Sequence, residues 1–187
     1  MKEFSNRVSL RKDRKNLYIE LLVQSSAIAR FALLILCFLV ASVLFYFMFF
    51  IAKNSEFNQE TIIPFLFLLG VNVWLIRSYL WNRYGKEYLI ISKKSFSYYY
   101  DYGLIQTKKT TFKCNELTIK IVKLNSEHTK STLAFFRFNE ENDLQEEMHP
   151  TSVYIRDEDI NYLVNEIYNF LDIDIEKDED FGGFHYN

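Results

Sequence analysis

The residues with the greatest capacity for chemistry are three histidines and a run of carboxylates. His128, His149 and His185 lie 21 and 36 positions apart, with no H-E-x-x-H pair and no paired cysteines, the spacings by which zinc sites are usually recognised. The densest cluster of oxygen ligands consists of Glu140, Glu141, Asp143, Glu146 and Glu147 beside His149. Such oxygens could hold a hard cation. A solvated acidic loop between two strands explains the same composition, and we predict no metal site.

Glycine spacing excludes the common phosphate-binding loops. The five glycines, at positions 70, 85, 103, 182 and 183, form neither G-x-G-x-x-G nor a P-loop. Serine and histidine are present, but no local signature pairs a nucleophile with a base. We therefore predict a non-enzymatic protein without catalytic residues and without a cofactor.

The distribution of charge separates the chain into two parts. Residues 1–86 contain 11 Lys and Arg against 5 Asp and Glu, whereas residues 87–187 contain 11 against 19. A basic part beside an acidic part suits attachment to an anionic membrane surface and argues against nucleic acid as a partner of the second part. Cys37 and Cys114 lie in an apolar run and a predicted strand, so we expect no disulfide and a reducing, cytoplasmic location.

Two apolar stretches predict a membrane anchor. Residues 31–52 form an uncharged run of 22 residues, which as a helix would extend about 33 Å and cross the hydrocarbon core. This run is too long and starts too late for a cleaved signal peptide. The second stretch, 61–81, carries its one charge at Arg77, and its Asn72 could hydrogen-bond to the first helix. Arg77 either forms a buried functional ion pair or extends to the headgroups beside neighbouring aromatic residues, the interpretation we favour.

Basic residues on the flanks of these stretches predict the orientation. Positive charge is typical of the cytoplasmic side, so we predict a helical hairpin over 31–82 with both chain termini in the cytoplasm. The basic flanking residues are also predicted to contact anionic lipid, at about 1 kcal/mol each, with topology alone as the alternative role. They are Arg11, Lys12, Arg14, Lys15, Arg83 and Lys86. Residues 1–30 are interpreted as a basic cytoplasmic segment, with an interfacial helix over 17–29.

The chain after Gly85 has the composition of a β-rich domain that ends in a helix. Alternating apolar residues and turn signals predict strands over 88–92, 96–100, 104–113, 117–124, 131–139 and 151–156. A change of inward phase at 121/122 predicts a bulge there. Apolar residues at helical spacing predict an amphipathic helix over 157–171 with an acidic first turn. The tail, 172–187, is acidic and then Gly-rich, which favours flexibility.

Tyrosines in the second predicted strand and in the turn after it could form a recognition surface. Tyrosine combines apolar area with a polar group, so Tyr98, Tyr100 and Tyr102 are candidates for contact with a partner. Alternate residues of a strand must point inward, so at least half of the tyrosines in this region are expected in the core.

Two segments carry a resemblance to a known family. YLIISKKSFSYYYDYGLIQTKKTTF and VYIRDEDINYLVNEIYNFL resemble the opening hairpin and the last strand and helix of the bacterial membrane-anchored pleckstrin-homology-like (PH-like) proteins, including the YcxB-like group. The resemblance covers residues 84–171 and the preceding hairpin. It implies an α+β protein with an antiparallel PH-like sheet or barrel closed by a C-terminal amphipathic helix. The role it implies is a binding or scaffolding module at the membrane, without a common enzyme activity.

These features predict a multi-pass protein of the cytoplasmic, or inner, membrane. Its partners are expected to be the lipid bilayer and either another protein or a second copy of itself, but not nucleic acid. The alternative is a membrane-anchored immunity protein that protects the cell against a toxin. A neighbouring toxin gene would favour this alternative, and co-purification with a larger membrane complex would favour a scaffold. An enzyme acting on lipid is the third hypothesis.

Overall fold

The chain forms two compact units. The computed structural model describes residues 2–5, 7–54, 59–114, 117–123, 130–139 and 144–171. Residues 24–85 and 102–104 form one unit, here named the helical unit. Residues 1–23, 86–101 and 105 onwards form the other, here named the strand unit. The predicted tail, 172–187, lies outside the described residues.

The helical unit consists of two long apolar helices, α1 (Ala27–Asn54) and α2 (Gln59–Tyr84). Both are long and apolar enough to span a membrane, and only 11% of the apolar 18-residue stretch in each is buried. The side-chain amide of Asn72 donates a hydrogen bond to the carbonyl oxygen of Cys37 at 3.3 Å, which confirms the contact expected between the helices. The rings of Phe47 and Phe65 lie 6.4 Å apart, in the later part of α1 and the early part of α2. A two-pass anchor is consistent with this arrangement.

Sheet A of the strand unit is antiparallel, and its strands lie side by side in chain order. They are β1 (Lys2–Ser5), β2 (Val8–Lys12), β3 (Asn16–Leu22), β4 (Lys86–Ser92), β5 (Ser95–Asp101) and β6 (Thr110–Lys113). The pairing of β3 with β4 is continuous, from Asn16 opposite Ser92 to Leu22 opposite Lys86. Residues 23–85, which include both apolar helices, are therefore an insertion between two paired strands.

The first strands belong to the core of the unit. Leu17, Ile19 and Leu21 of β3 are almost completely buried, and they pair with Ile91, Leu89 and Glu87 of β4, which are buried too. Their alternation with half-buried residues has the period of two that a strand requires. The interfacial helix expected over 17–29 is therefore wrong, because residues 16–22 extend along β4. Sheet A thus includes residues that the sequence analysis assigned to a separate N-terminal segment.

Sheet B is antiparallel and is centred on its longest strand, β8 (Lys130–Asn139). β8 pairs with β7 (Leu117–Lys123) on one side and with β9 (Leu144–Pro150) and β10 (Ile155–Arg156) on the other. The bulge predicted at 121/122 is wrong, because the register between β7 and β8 continues from Leu117 to Lys123. The register shifts instead on the β9 side, between Phe135 and Phe136.

Two strands of sheet B also differ from the predicted ones. The strand β9 occupies part of the segment interpreted as an acidic loop, and the strand expected over 151–156 shortens to the two residues of β10.

The two sheets pack face to face, and a helix completes their core. Phe96 of sheet A stacks on Phe135 of sheet B with 4.5 Å between ring centroids. The predicted helix is confirmed as α3 (Asp157–Leu171), which buries Ile160, Leu163, Ile167 and Phe170. Within the described residues the sheets are not closed into a barrel, because their strands pair only within each sheet. The α+β class is therefore confirmed, and the expectation of a barrel is corrected to two open sheets.

The position of β3 makes a testable prediction about the boundary of the strand unit. Joining Leu22 to Lys86 through an Asn-Gly turn, a favoured two-residue hairpin loop, is expected to give a soluble protein that unfolds cooperatively. Residues 84–171 alone should not fold, because they lack the apolar face of β3. Burying each large apolar side chain stabilises by about 1.5–3 kcal/mol, so losing three of them approaches the whole stability of a small domain, about 5–15 kcal/mol.

Circular dichroism during thermal unfolding checks both proteins. A cooperative transition of residues 84–171 at the temperature of the joined protein would contradict the proposed boundary.

Candidate functional site

The most concentrated polar cluster of the strand unit is built around the carboxylate of Glu87 in β4. Its side chain is completely buried, and one oxygen, Oε1, lies 2.6 Å from Nε2 of His149 in β9. The other oxygen, Oε2, accepts hydrogen bonds from the backbone N–H groups of Ser152, at 2.9 Å, and Val153, at 3.2 Å. A carboxylate of sheet A is thus bonded to three groups at the edge of sheet B.

An interruption of the ladder between β9 and β10 makes these backbone groups available. At Thr151 the backbone N–H still donates to the carbonyl oxygen of Leu133, at 2.7 Å. The side-chain Oγ1 of Thr151 accepts the N–H of Leu133 at 3.0 Å, in the role that a strand carbonyl would take. The chain then leaves β8 for three residues before β10 resumes the pairing at Ile155. The N–H groups of residues 152 and 153 consequently bond to Glu87 instead of β8.

Aromatic side chains of β5 enclose the imidazole ring of His149. Tyr98 stacks on this ring with 3.7 Å between centroids and an interplanar angle of 11°. The rings of Phe96 and Tyr100 both lie 6.1 Å from it, and the hydroxyl of Tyr100 shares a 2.9 Å hydrogen bond with Ser152 Oγ. Two of the three tyrosines predicted as a partner surface therefore contact the cluster around His149, and both are half-buried.

The third of these tyrosines, Tyr102, belongs to the helical unit. A guanidinium nitrogen of Arg77 donates to its hydroxyl at 2.9 Å, and the guanidinium carbon lies 4.9 Å from its ring centroid. The ring of Trp81 is 5.2 Å away. The contact of Arg77 is thus a cation–π and hydrogen-bonding pair, which neither interpretation of the sequence anticipated. Tyr102 does not join Tyr98 and Tyr100 in one surface.

The arrangement around Glu87 fixes His149 rather than presenting it to solvent. A carboxylate bonded to an imidazole is a combination that general bases use, but a base must reach a proton on its substrate. The side chains of His149 and Glu87 are only 5% and 0% exposed, and both oxygens of Glu87 already accept hydrogen bonds from the protein. The pair therefore acts as a buried connection between the sheets.

The other chemically suggestive residues are also accounted for or lie outside the described chain. Glu146 binds Arg137 through bonds of 2.7 and 3.0 Å, whereas His128, His185 and residues 140–143 are outside the described residues. In the part that the structure describes, no three His, Cys, Asp or Glu side chains converge as a metal site. Both cysteines are free thiols, and burial raises the pKa of the Cys114 thiol.

The residues predicted to contact lipid do not form one cluster. Arg11, Lys12, Arg14 and Lys15 are exposed at the turn between β2 and β3. Lys86 lies opposite Leu22, at the other end of β3, about 20 Å away for a strand of this length. It forms a 2.7 Å ion pair with Glu20, and this hydrogen bond raises the pKa of Lys86. Arg83 lies in the last turn of α2, in the helical unit.

The turn between β4 and β5 lies at the same end of sheet A as the turn between β2 and β3, and it carries further basic residues. Lys93 and Lys94 are exposed in this turn, beside the pairing of Asn16 with Ser92. This end of the sheet is therefore basic although the second part of the chain is acidic.

The outer face of sheet A carries an aromatic surface that the sequence analysis missed. We name it the outer patch, and it consists of Tyr18, Tyr88, Ile90 and Tyr99, all half-buried. The rings of Tyr88 and Tyr99 stack at 4.8 Å and 9°, and partial burial raises the pKa of both hydroxyls. Glu20, opposite Tyr88, is neutralised by its ion pair with Lys86. The sequence contains a signal for this surface, because its residues in β3 and β4 alternate with the buried Leu17, Leu89 and Ile91.

The Glu87 cluster makes a prediction about stability. Glu87→Ala is expected to reduce the free energy of unfolding by about 3–5 kcal/mol, because removing one partner of a buried pair leaves the other without compensation. Chemical denaturation of the protein with Leu22 joined to Lys86 measures this loss. Glu147→Ala, at an exposed position of β9, is the matched control and should change stability by less than about 0.5 kcal/mol.

A double-mutant cycle separates the pair from the rest of the cluster. If Glu87 and His149 act together, Glu87→Ala and His149→Ala combined should cost at least about 1 kcal/mol less than the sum of the single losses. Additive losses would show that the contact carries no coupling energy.

Comparison with known proteins does not assign the chain to a family. No protein-family model matches it, and no curated protein sequence is similar to it. The YcxB-like resemblance therefore stays a prediction.

Proposed function

We propose that this chain is a non-enzymatic interaction protein of the cytoplasmic membrane. In this proposal α1 and α2 anchor the protein as a two-pass hairpin, and the strand unit, with both chain termini, lies in the cytoplasm and binds a protein partner. The α+β order of antiparallel sheets followed by one C-terminal helix supports a PH-like binding module, although the sheets are open.

The insertion of the helices between β3 and β4 supports the anchor. Leu22 and Lys86 are paired neighbours, so the chain must leave and re-enter the strand unit at one edge. Two membrane crossings return the chain to its starting side, whereas a single crossing would separate the strands. The exposed apolar surface of both helices requires an apolar environment, because a contiguous apolar surface of this extent is unfavourable in water. Basic flanking residues favour the cytoplasm as the side of the strand unit.

The outer patch is the observation that carries binding. Stacked tyrosines with one half-exposed face supply large, rigid contact area, and tyrosine is enriched among residues that dominate binding energy. The nearby charges of Glu20 and Lys86 compensate each other at 2.7 Å, so the patch lacks the net positive charge that nucleic acid and anionic lipid require. A protein surface that accepts aromatic side chains is the ligand that fits best.

The anchor predicts the location of two reporter fusions. A reporter inserted after Ser55 should be active outside the membrane, and one fused after Asn187 should be active in the cytoplasm, because the hairpin returns the chain to its starting side. Paired reporters with opposite compartment requirements measure both positions. Reporters after Ser55 and Asn187 that report the same side of the membrane would exclude the hairpin.

Site-specific photo-crosslinking tests the outer patch in intact membranes. A photoreactive phenylalanine analogue at Tyr99 is expected to give one discrete adduct with another protein. The same analogue at Tyr154, which is 46% exposed, should not give this adduct. Tyr88→Ala should weaken the interaction by about 2 kcal/mol, roughly thirtyfold in affinity.

Two outcomes of the crosslinking would contradict this assignment. An adduct that joins two differently tagged copies of the chain would replace a protein partner by self-association. Equal adducts from positions 99 and 154 would show that the outer patch is not the binding surface.

A further inference from the structure

A groove lies between the first turns of α1 and the last turns of α2. Its lining consists of Ala27, Arg30, Phe31 and Leu34 from α1 and Tyr79 and Arg83 from α2. The helix ends are tied together beside it, because the hydroxyl of Ser25 donates to the carbonyl oxygen of Asn82 at 2.8 Å. The groove thus combines two guanidinium groups with an apolar wall at one end of the helical hairpin.

Arg30 has a buried donor that the described protein does not satisfy. Its Nε is inaccessible to solvent and has no hydrogen-bond partner among the described residues. Buried polar groups nearly always have a partner, and leaving a donor of a charged group unpaired is costly. Arg30 lies one turn into a helix whose first turn has no acidic residue. Since Nε is shielded, Arg30 offers the groove its positive charge and its terminal guanidinium nitrogens rather than Nε.

Arg83 adds a second positive charge on the facing helix. Its Nε donates to the hydroxyl of Tyr84 at 2.9 Å, and its guanidinium lies 5.3 Å from the centroid of that ring. The sequence contains no Asp or Glu in residues 24–54 or 61–85. Arg30 therefore has no carboxylate in α1, and the one acidic residue of α2, Glu60, lies at the opposite end of that helix from Arg83. An anionic ligand in the groove would compensate the charge of both arginines.

We propose that this groove binds the phosphate group of an anionic phospholipid, an inference that depends on the membrane anchor proposed above. Arginine forms charge-assisted bonds to phosphate and presents several donors in a fixed geometry. Basic sites between helices on the cytoplasmic side are suited to lipid headgroups. Phe31 and Leu34 supply the apolar wall for the first part of the acyl chains, which distinguishes a lipid from free phosphate or another soluble anion.

The test measures the lipid that the full-length protein retains after extraction from membranes in mild detergent. Native mass spectrometry should detect bound phosphatidylglycerol or cardiolipin on the wild-type protein. Arg30→Gln and Arg83→Gln are each expected to reduce the retained anionic lipid at least tenfold. Arg77→Gln in α2 and Lys53→Gln at the far end of α1 remove the same charge elsewhere, and they should retain as much lipid as the wild type.

Two further variations distinguish the chemistry of the ligand from a loss of fold. Arg30→Lys keeps the charge but removes the planar set of guanidinium donors, so it should retain less lipid than the wild type and more than Arg30→Gln. Excess inorganic phosphate should not displace the lipid if the apolar wall contributes. Displacement by phosphate, or binding of phosphate alone to delipidated protein, would assign the groove to soluble anions and overturn the lipid.

The membrane anchor is scored separately in the same variants. Reporter fusions and resistance to alkaline extraction show whether each variant still spans the membrane. Equal lipid retention by all variants, with unchanged topology, would overturn the groove and leave the anchor intact. If the wild-type protein itself is not inserted in the membrane, the proposed anchor is wrong.

Discussion

The structure of the strand unit depends on a buried carboxylate between its two sheets. Glu87 has no exposed surface and no acidic neighbour on its strand, and a charge in such a position is costly unless it is paired and hydrogen-bonded. His149 and two backbone N–H groups supply that compensation. A displacement of sheet B by one residue along sheet A would leave the carboxylate without these partners. The cluster therefore specifies how the two sheets align, in addition to any stability it contributes.

His149, Tyr98 and Tyr100, which the sequence suggests as functional residues, all take part in this cluster. Tyr98 covers one face of the imidazole ring, and Tyr100 bonds to Ser152, so both half-buried side chains contact the cluster. The residues that we propose for partner binding lie on the opposite face of the same strands, where Tyr88 and Tyr99 stack. This division follows from the pleat, because successive side chains of a strand point to opposite faces.

The features predicted correctly were those with a local signal. The apolar lengths of α1 and α2 and the stripe of α3 are visible within one continuous segment. The strand β3 was missed although Leu17, Ile19 and Leu21 alternate as a strand requires, because its partner β4 follows only after two apolar helices. The strand β9 was missed for another reason, because its glutamates indicated a solvated acidic loop. Glu87 and His149 are 62 positions apart, so no sequence spacing could indicate their contact.

The insertion of α1 and α2 between two paired strands also orders events during synthesis. β3 leaves the ribosome before either helix, and β4 follows only after both. Until β4 arrives, β3 presents an unpaired edge with buried-type residues on one face, the kind of surface that promotes aggregation. Completion of sheet A therefore waits for the helices to be placed and for the chain to return. If α1 and α2 span the membrane as we propose, a chain in which only one of them crosses leaves β3 and β4 on opposite sides. Both strands then keep an exposed edge that quality-control proteases and chaperones can recognise.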